Sequence, residues 1–529
     1  MVVLGLGVPI PADAAGRAHG RCGVEHWLAS WAASPSDATP DPDPSDPLEV
    51  AAASSDVSGN PKTPIVDETE RMVITPHWGG STLRLHLSNR FGEAPVTFDH
   101  VAVARRLSGA SVLPGSSVAV TFDGLPATTI APGDEVVSDR VPFSFEAFER
   151  LSVSIHLPGS QGMPTEHYTA RQTSYRTAAG SGDHVADASG TSFVRHTTSW
   201  YYLIGLDVRA RRGISGVVAF GDSITDGYQG QSPGVPETAE GIDADGRWPD
   251  VLQRRVLEEG RSLSILNAGI SGNRILQNGA EGAGIPQYGP SALHRLQRDA
   301  IGLAGVKQAI VLEGINDLGS DPGAPVIAGL RRLVHDLHIA RLRVMVGTLT
   351  PAGRSGDGEA ARVAVNKWIR TSGVPDAVVD FDAAVRDPAN PSQIAPAYDG
   401  SDHLHFNLAG YRAMADAVPL AALRHKACRR PKLRLRVMPH RVRPGRRVRL
   451  RFTTRARKGG LMVRVPNIRV VVAGRVARSN RRGRGTIRVR FTDPGRVHAR
   501  ATAPGYRAGR ARVHVRRWVG QPPGTDSPP

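Results

Sequence analysis

A chain of 529 residues and 56.4 kDa exceeds what one hydrophobic core supports, so several domains are expected. Hydrophobic residues at 40% and charged residues at 22% are ordinary for globular folds and exclude a wholly disordered or fibrous chain. There is no run of about 18 apolar residues, so no membrane-spanning helix is expected. The net charge of +17 is uneven: residues 426–517 hold 31 Lys and Arg against one acid, Asp493, which leaves the preceding chain net acidic.

Residues 1–22 carry a short apolar stretch and then Ala12-Asp13-Ala14, a pattern that resembles a signal-peptidase site without its basic leader. The segment is read as the remnant of an export signal, with the true start upstream. Cys22 and Cys428 flank the body of the chain. The sequence leaves open whether they are two thiols or one long-range disulfide.

Residues 23–212 read as a β-sandwich of jelly-roll type. The runs 83–87, 118–122 and 151–155 alternate with period two, separated by Gly, Pro and Asp turns. Within this region 35–60, rich in Pro, Asp and Ser, reads as a mobile acidic loop. From 213 to 424 the pattern changes to strands alternating with helices. Apolar strands are expected at 217–220, 263–266, 309–312, 344–346 and 377–381, and helices include 327–337 and 408–423. Such alternation predicts a largely parallel sheet covered by helices, with its active site at the carboxyl ends of the strands. Residues 425–431 form a linker. Residues 432–518 return to β, with apolar positions such as Leu433, Leu435 and Val437 alternating with arginines, as in a small immunoglobulin-like domain. Residues 519–529 read as a disordered tail.

The chemistry concentrates in the middle region. Gly221-Asp222-Ser223-Ile224-Thr225-Asp226-Gly227 follows the first apolar strand, which presents Ser223 at the strand's end. A serine hydroxyl needs a base, and Asp402-His403-Leu404-His405 supplies an imidazole and a carboxylate in one loop. Both His403 and His405 are candidates for the base. A Gly-rich turn, Asn267-Ala268-Gly269-Ile270-Ser271-Gly272-Asn273, follows the second strand, and Glu313-Gly314-Ile315-Asn316-Asp317 follows the third. A bare backbone N–H at Gly272 and the neutral amide of Asn316 are suited to hold a developing oxyanion. Singly, each motif is weak: Gly-Asp-Ser is common in turns, Asp-x-x-His is a frequent surface turn, and Gly272 and Asn316 could simply bend the chain. Their joint placement after successive strands points to chemistry. Asp222, Asp226 and Asp317 read as local hydrogen-bonding residues.

These four blocks, in this order over 216–423, resemble the SGNH (GDSL-type) hydrolase superfamily. The resemblance implies a three-layer, flavodoxin-like α/β domain. It makes Ser223 the nucleophile, Asp402 and His405 the rest of the triad by Asp-x-x-His spacing, and the N–H groups of Ser223 and Gly272 with the Asn316 amide the oxyanion donors. Together with Arg247-Trp248-Pro249-Asp250, the blocks look like a subgroup of secreted bacterial esterases near xylan-degrading systems, whose members carry a preceding β-rich domain. Phe406 stands where many relatives have Pro after the histidine.

The expected function is therefore that of a secreted, cell-wall-associated serine esterase acting on short acyl groups, acetyl above all, of a carbohydrate, with no cofactor and no metal. A lipase, arylesterase or thioesterase of the same class is the alternative, and a non-catalytic polysaccharide- or cell-surface-binding protein the alternative of a different class. The Gly-x-Ser-x-Gly elbow of α/β-hydrolases and His-Glu-x-x-His are both missing. The Arg-rich domain has few aromatics and no nucleic-acid motif, so an anionic cell-surface polymer is the expected partner rather than DNA, with an inert spacer or docking on the chain's own acidic body as the alternatives.

Overall fold

The computed structural model describes residues 25–38, 64–211, 213–230, 241–318, 323–424, 432–458, 461–503, 506 and 508–516. The export-like segment, both cysteines, the linker, the tail and nearly all of the acidic 35–60 stretch lie outside them. The described chain divides into two compact units, one formed chiefly by His26–Ala210 with Ile214–Lys426 and the other by the C-terminal β region.

In the larger unit, Val217, Val218, Ala219 and Phe220 are all fully buried. A strand without a polar face must be covered on both sides, and this one lies inside a five-stranded parallel sheet. The strands lie side by side as Leu263–Gly269, Ser215–Gly221, Val306–Leu312, Arg343–Gly347 and Ala377–Val379. In chain order this is 2-1-3-4-5, so successive connections depart in opposite directions from the first and third strands. The crevice beyond those strand ends is the natural ligand site of such a sheet.

The helix Ala324–Ile339 buries Val326, Leu330, Leu333, Val334 and Leu337 along one stripe against the sheet. Two expected elements are shorter than their apolar runs suggest. The strand expected over 377–381 stops at Val379, because the Asp380 carboxylate accepts from the Ala383 N–H and caps a helix, Phe381–Val385. The helix expected over 408–423 ends at Ala417, two residues before Pro419, whose ring disfavours helical backbone just ahead of it. Its start is fixed by the Asn407 side chain, which accepts from Ala409 and Gly410.

The preceding β region is built from antiparallel pairs. Val66–Ile74, Leu151–Ser160 and His100–Ser108 form the centre of one sheet, and Glu25–Ala32, Leu203–Arg211, Leu83–Ser88 and Glu135–Val137 form another. Leu85, Leu87, Val101, Val153 and Ile155 fill its core. The strand Glu25–Ala32 belongs to two cores at once: Leu28 and Trp31 enter this one, while Ala29 and Ala32 enter the core of the parallel sheet. Backbone bonds add to that seam. Ala29 N–H donates to the Ala304 carbonyl at 2.8 Å, and Ser264 Oγ donates to the Ala29 carbonyl at 3.0 Å.

The C-terminal unit has two small sheets. In one, Arg447–Lys458 pairs with Arg434–Met438, Leu461–Arg464 and Arg484–Arg490. The other contains Arg469–Val472, Arg475–Arg478, Gly495–Thr502 and Gly509–Val515, with the short strand Arg441–Val442 at its edge. Its core is made by Leu433, Leu450, Phe452, Val470, Val489 and Val513, while the alternate positions are predominantly arginine. Among the described residues, no helix is long and apolar enough to cross a membrane.

Candidate active site

The strand Ser215–Gly221 ends where Asp222 turns extended and its side chain accepts from the Ile224 N–H at 3.0 Å. That cap starts a single helical turn, Ser223–Asp226, closed by Gly227 at φ 103°. Ser223 is the first residue of this turn, so its own N–H lies outside the helix ladder. Gly227 is required twice: its backbone is left-handed, and a Cβ there would lie 2.1 Å from Arg247 Cγ.

The loop before Leu408–Ala417 brings the second half of the site. His405 Nε2 is 2.8 Å from Ser223 Oγ across 182 residues of sequence, and His405 Nδ1 is 2.5 Å from Asp402 Oδ2. The Asp402 carboxylate also accepts from the backbone N–H groups of Leu404 and His405. Burial raises its pKa, but the His405 hydrogen bond and charge and these two N–H groups outweigh that and hold it at about 2. Ser223 and His405 are 3% and 2% exposed. The Tyr228 ring stands edge-on to the imidazole, centroids 4.7 Å apart. Gly230 gives the carboxylate room, since a Cβ there would be 2.5 Å from it. His403 is directed elsewhere: its side chain is 75% exposed and its Nδ1 is 2.5 Å from Asp399 Oδ2.

Gly272 follows the second strand at φ 77°, and a Cβ on it would meet the Tyr288 ring at 2.2 Å. Ser271 N–H donates to Asp226 and Asn273 N–H to the Ile270 carbonyl. The Gly272 N–H between them has no acceptor among the described residues. Asn316 lies on the single turn Ile315–Asp317 after the third strand, and its Nδ2 donates to the Asn273 carbonyl at 2.9 Å. An amide nitrogen carries two hydrogens, so this bond fixes the group while leaving one free to donate. Asp317 accepts from Ile275 and Leu276, tying the second and third blocks together. The three crevice loops are thus locked to one another.

A further layer was not visible as sequence motifs. Asp226 is buried and accepts from His167, Thr169 and both the N–H and Oγ of Ser271, with His167 Nε2 at 3.0 Å. Burial alone would raise this carboxyl, but the charge and hydrogen bond of His167 and the Thr169 and Ser271 bonds hold it below its usual value. Tyr168 Oη donates to the Ser271 carbonyl, and the Arg171 guanidinium stands 5.7 Å from the Tyr228 ring centroid. Arg295, buried under the crevice, donates at 2.8 Å each to the carbonyls of Gly221 and Ala268 and to Asn273 Oδ1. Behind the serine, burial pushes Asp222 up to about 7 and raises Glu313 well above the carboxylate range. Among the described residues, no group of three or more His, Cys, Asp and Glu is placed to hold a metal ion.

A hydroxyl, an imidazole and a carboxylate in line, beside backbone and amide donors at the ends of parallel strands, form the arrangement suited to nucleophilic acyl transfer. The family comparison agrees: residues 219–413 match the GDSL-like lipase/acylhydrolase family, and this segment is a domain of that family. No curated protein matches the chain. Solved structures similar to it include a GDSL-like lipase from Bacteroides thetaiotaomicron, at 16% identity and TM-score 0.26, covering 39% of this chain and 87% of that one. An acetyl xylan esterase matches at 17% identity and TM-score 0.27, covering 39% and 100%. A family two carbohydrate esterase from Clostridium thermocellum, in complex with cellohexaose, matches at 14% identity and TM-score 0.30, covering 65% and 94%.

Proposed function

We propose that this chain is an exported serine esterase that removes short acyl groups, acetyl foremost, from a carbohydrate. The observation that carries the reading is the unbroken chain Ser223 Oγ, His405 Nε2, His405 Nδ1, Asp402 Oδ2, with links of 2.8 and 2.5 Å. Ser223 attacks the ester carbonyl while His405 takes its proton, and Asp402 orients the imidazole and stabilises its charged form. The N–H groups of Ser223 and Gly272 and the Asn316 amide receive the oxyanion. His405 returns the proton to the departing sugar hydroxyl, leaving an acyl-serine. Water, deprotonated by His405, attacks that ester and releases the acid and Ser223.

Short acyl groups are favoured by crowding around the site: Tyr288 packs against Gly272, Tyr228 against His405, and the reacting groups are almost wholly covered. The carbohydrate and the export rest on the resemblance of the sequence blocks to secreted esterases near xylan-degrading systems and on Ala12-Asp13-Ala14. Hydrolysis of p-nitrophenyl acetate by wild type but not by Ser223→Ala is expected, with turnover falling as the acyl chain lengthens. Equal turnover by the folded Ser223→Ala variant removes the mechanism. A preference for long chains moves the protein to the lipases, and inactivity on acetylated xylan beside activity on simple esters removes the carbohydrate.

A further inference from the structure

The C-terminal unit carries a groove of about 900 Å³ over its first sheet, with Arg434, Arg436, Arg451, Arg455, Arg464 and Arg484 on its lining. All six side chains are exposed. The strand register puts like charges beside each other. Arg434 is opposite Arg455, which is opposite Arg464 on its other side, so three arginines cross the sheet in one row. Like charges directly opposite on neighbouring strands destabilise a sheet. No local carboxylate relieves the row, because Asp493 is the one acid between residues 426 and 517. The remaining lining includes Thr453, Thr486, Asn480 and two half-exposed methionines, Met438 and Met462.

We propose that this groove binds an anionic polysaccharide bearing a carboxylate on successive sugars, a polyuronate. Neighbouring strands are about 4.8 Å apart, of the order of one sugar residue, and arginine side chains are long enough to reach from such a row to carboxylates that successive sugars carry on different sides of the polymer. The planar guanidinium pairs with a carboxylate through two parallel hydrogen bonds. Methionine and threonine suit the mixed apolar and hydroxylated faces of sugar rings. A single-stranded nucleic acid fits less well, since such sites stack bases on aromatic side chains. The lining's one aromatic residue, Phe452, is buried in the core with 1% exposure. This assignment is independent of the chemistry at Ser223.

The test uses the full-length chain and affinity electrophoresis through gels containing polygalacturonate, at graded salt. Wild type should be retarded, with an affinity that falls steeply as salt rises. The triple variant Arg434→Gln/Arg455→Gln/Arg464→Gln should lose more than tenfold in affinity. A control triple on the other sheet, Arg469→Gln/Arg475→Gln/Arg496→Gln, should change it less than twofold. Turnover of p-nitrophenyl acetate should be the same in all three proteins. Equal losses in both triples would mean diffuse attraction to net charge and overturn the groove. Absence of retardation, or tighter binding at the same salt to single-stranded DNA or to a glycerol-phosphate polymer, overturns the polyuronate.

Discussion

His167 ends a short strand of the β region and Asp226, 59 residues on, lies in the helical turn after the first parallel strand, yet the imidazole Nε2 lies 3.0 Å from the carboxylate Oδ1. Asp226 closes the helical turn that Ser223 begins, and its other oxygen accepts from the N–H and Oγ of Ser271, next to Gly272. One carboxylate therefore holds the Ser223 turn and the Gly272 loop in register. The β region supplies the groups, His167 and Thr169, that keep it in place. The β region is thus bonded to the turn that carries Ser223 as well as packed beside it.

Replacing His167 by Ala leaves one oxygen of a buried carboxylate without its donor. The expected loss in unfolding free energy, read by urea denaturation, is about 1–3 kcal/mol. Turnover should fall with little change in KM, because what moves is the spacing between Ser223 and Gly272. His167→Gln, whose amide can donate at a similar place, should recover part of kcat. A His167→Ala enzyme with unaltered kcat would separate the β region from catalysis.

Asp402 lends itself to a paired measurement. Asp402→Asn keeps the shape of the loop but allows the amide to hold His405 in the wrong tautomer, for which a fall of about 10⁴ in kcat is expected. The same group has a folded-state pKa lowered to about 2. Its stabilising contribution is complete above the ordinary carboxylate range and is lost as the pH falls through about 2. Acid unfolding followed by circular dichroism should therefore show a shallower acid limb in Asp402→Asn than in wild type. Identical limbs would mean the carboxylate is not held as its hydrogen bonds require.

The parts of this molecule that could be read from the sequence are those whose signal is local. A run of four apolar residues, Val217 to Phe220, followed by Gly221-Asp222-Ser223 announces a covered strand that ends in a turn, and Asp402 and His405 are close enough to share one loop. The places of Gly272 and Asn316 were readable because both sit just past strand ends. His167, Thr169, Arg171 and Arg295 were not, because each acts on a partner brought near only by folding. Arg295 looks like any polar position of a short helix, yet it is buried and bonds three groups on two separate crevice segments. The misjudged ends, at Val379 and Ala417, have the opposite cause: apolar runs continue past them, while a capping aspartate and a proline stop the elements.

Asp222 gives a dependence of opposite sign to Asp402. Burial first, and then the nearby Asp317, push its carboxyl up to about 7 against the Ile224 N–H and Arg295. Its Oδ2 and both oxygens of Glu313 have no hydrogen-bond partner among the described residues. Because the folded protein holds this proton more tightly than the unfolded chain, the associated stability is complete below about pH 4 and is lost as the pH rises through about 7. Asp222→Asn carries no proton to lose, and its amide oxygen can still accept from the Ile224 N–H. Denaturant titrations across that range should show a decline in wild-type stability that the variant lacks. A variant declining in parallel with wild type would assign the slope to other groups.

Gly272 tests the oxyanion corner through backbone and packing at once. At φ 77° any residue with a Cβ is strained by about 1–3 kcal/mol, and this Cβ would sit 2.2 Å from the Tyr288 ring. Gly272→Ala must therefore either push Tyr288 aside or rotate its own N–H away from the carbonyl oxygen it is proposed to bind. Losing one such donor costs about 10²–10³ in kcat, and the same range is expected for Asn316→Ala. Adding Tyr288→Ala to Gly272→Ala removes the collision but leaves the backbone strain, so folding stability should partly return while kcat stays depressed. If the double variant instead regains full turnover, the glycine is there to accommodate the tyrosine, and the oxyanion must be held by Ser223 and Asn316 without it.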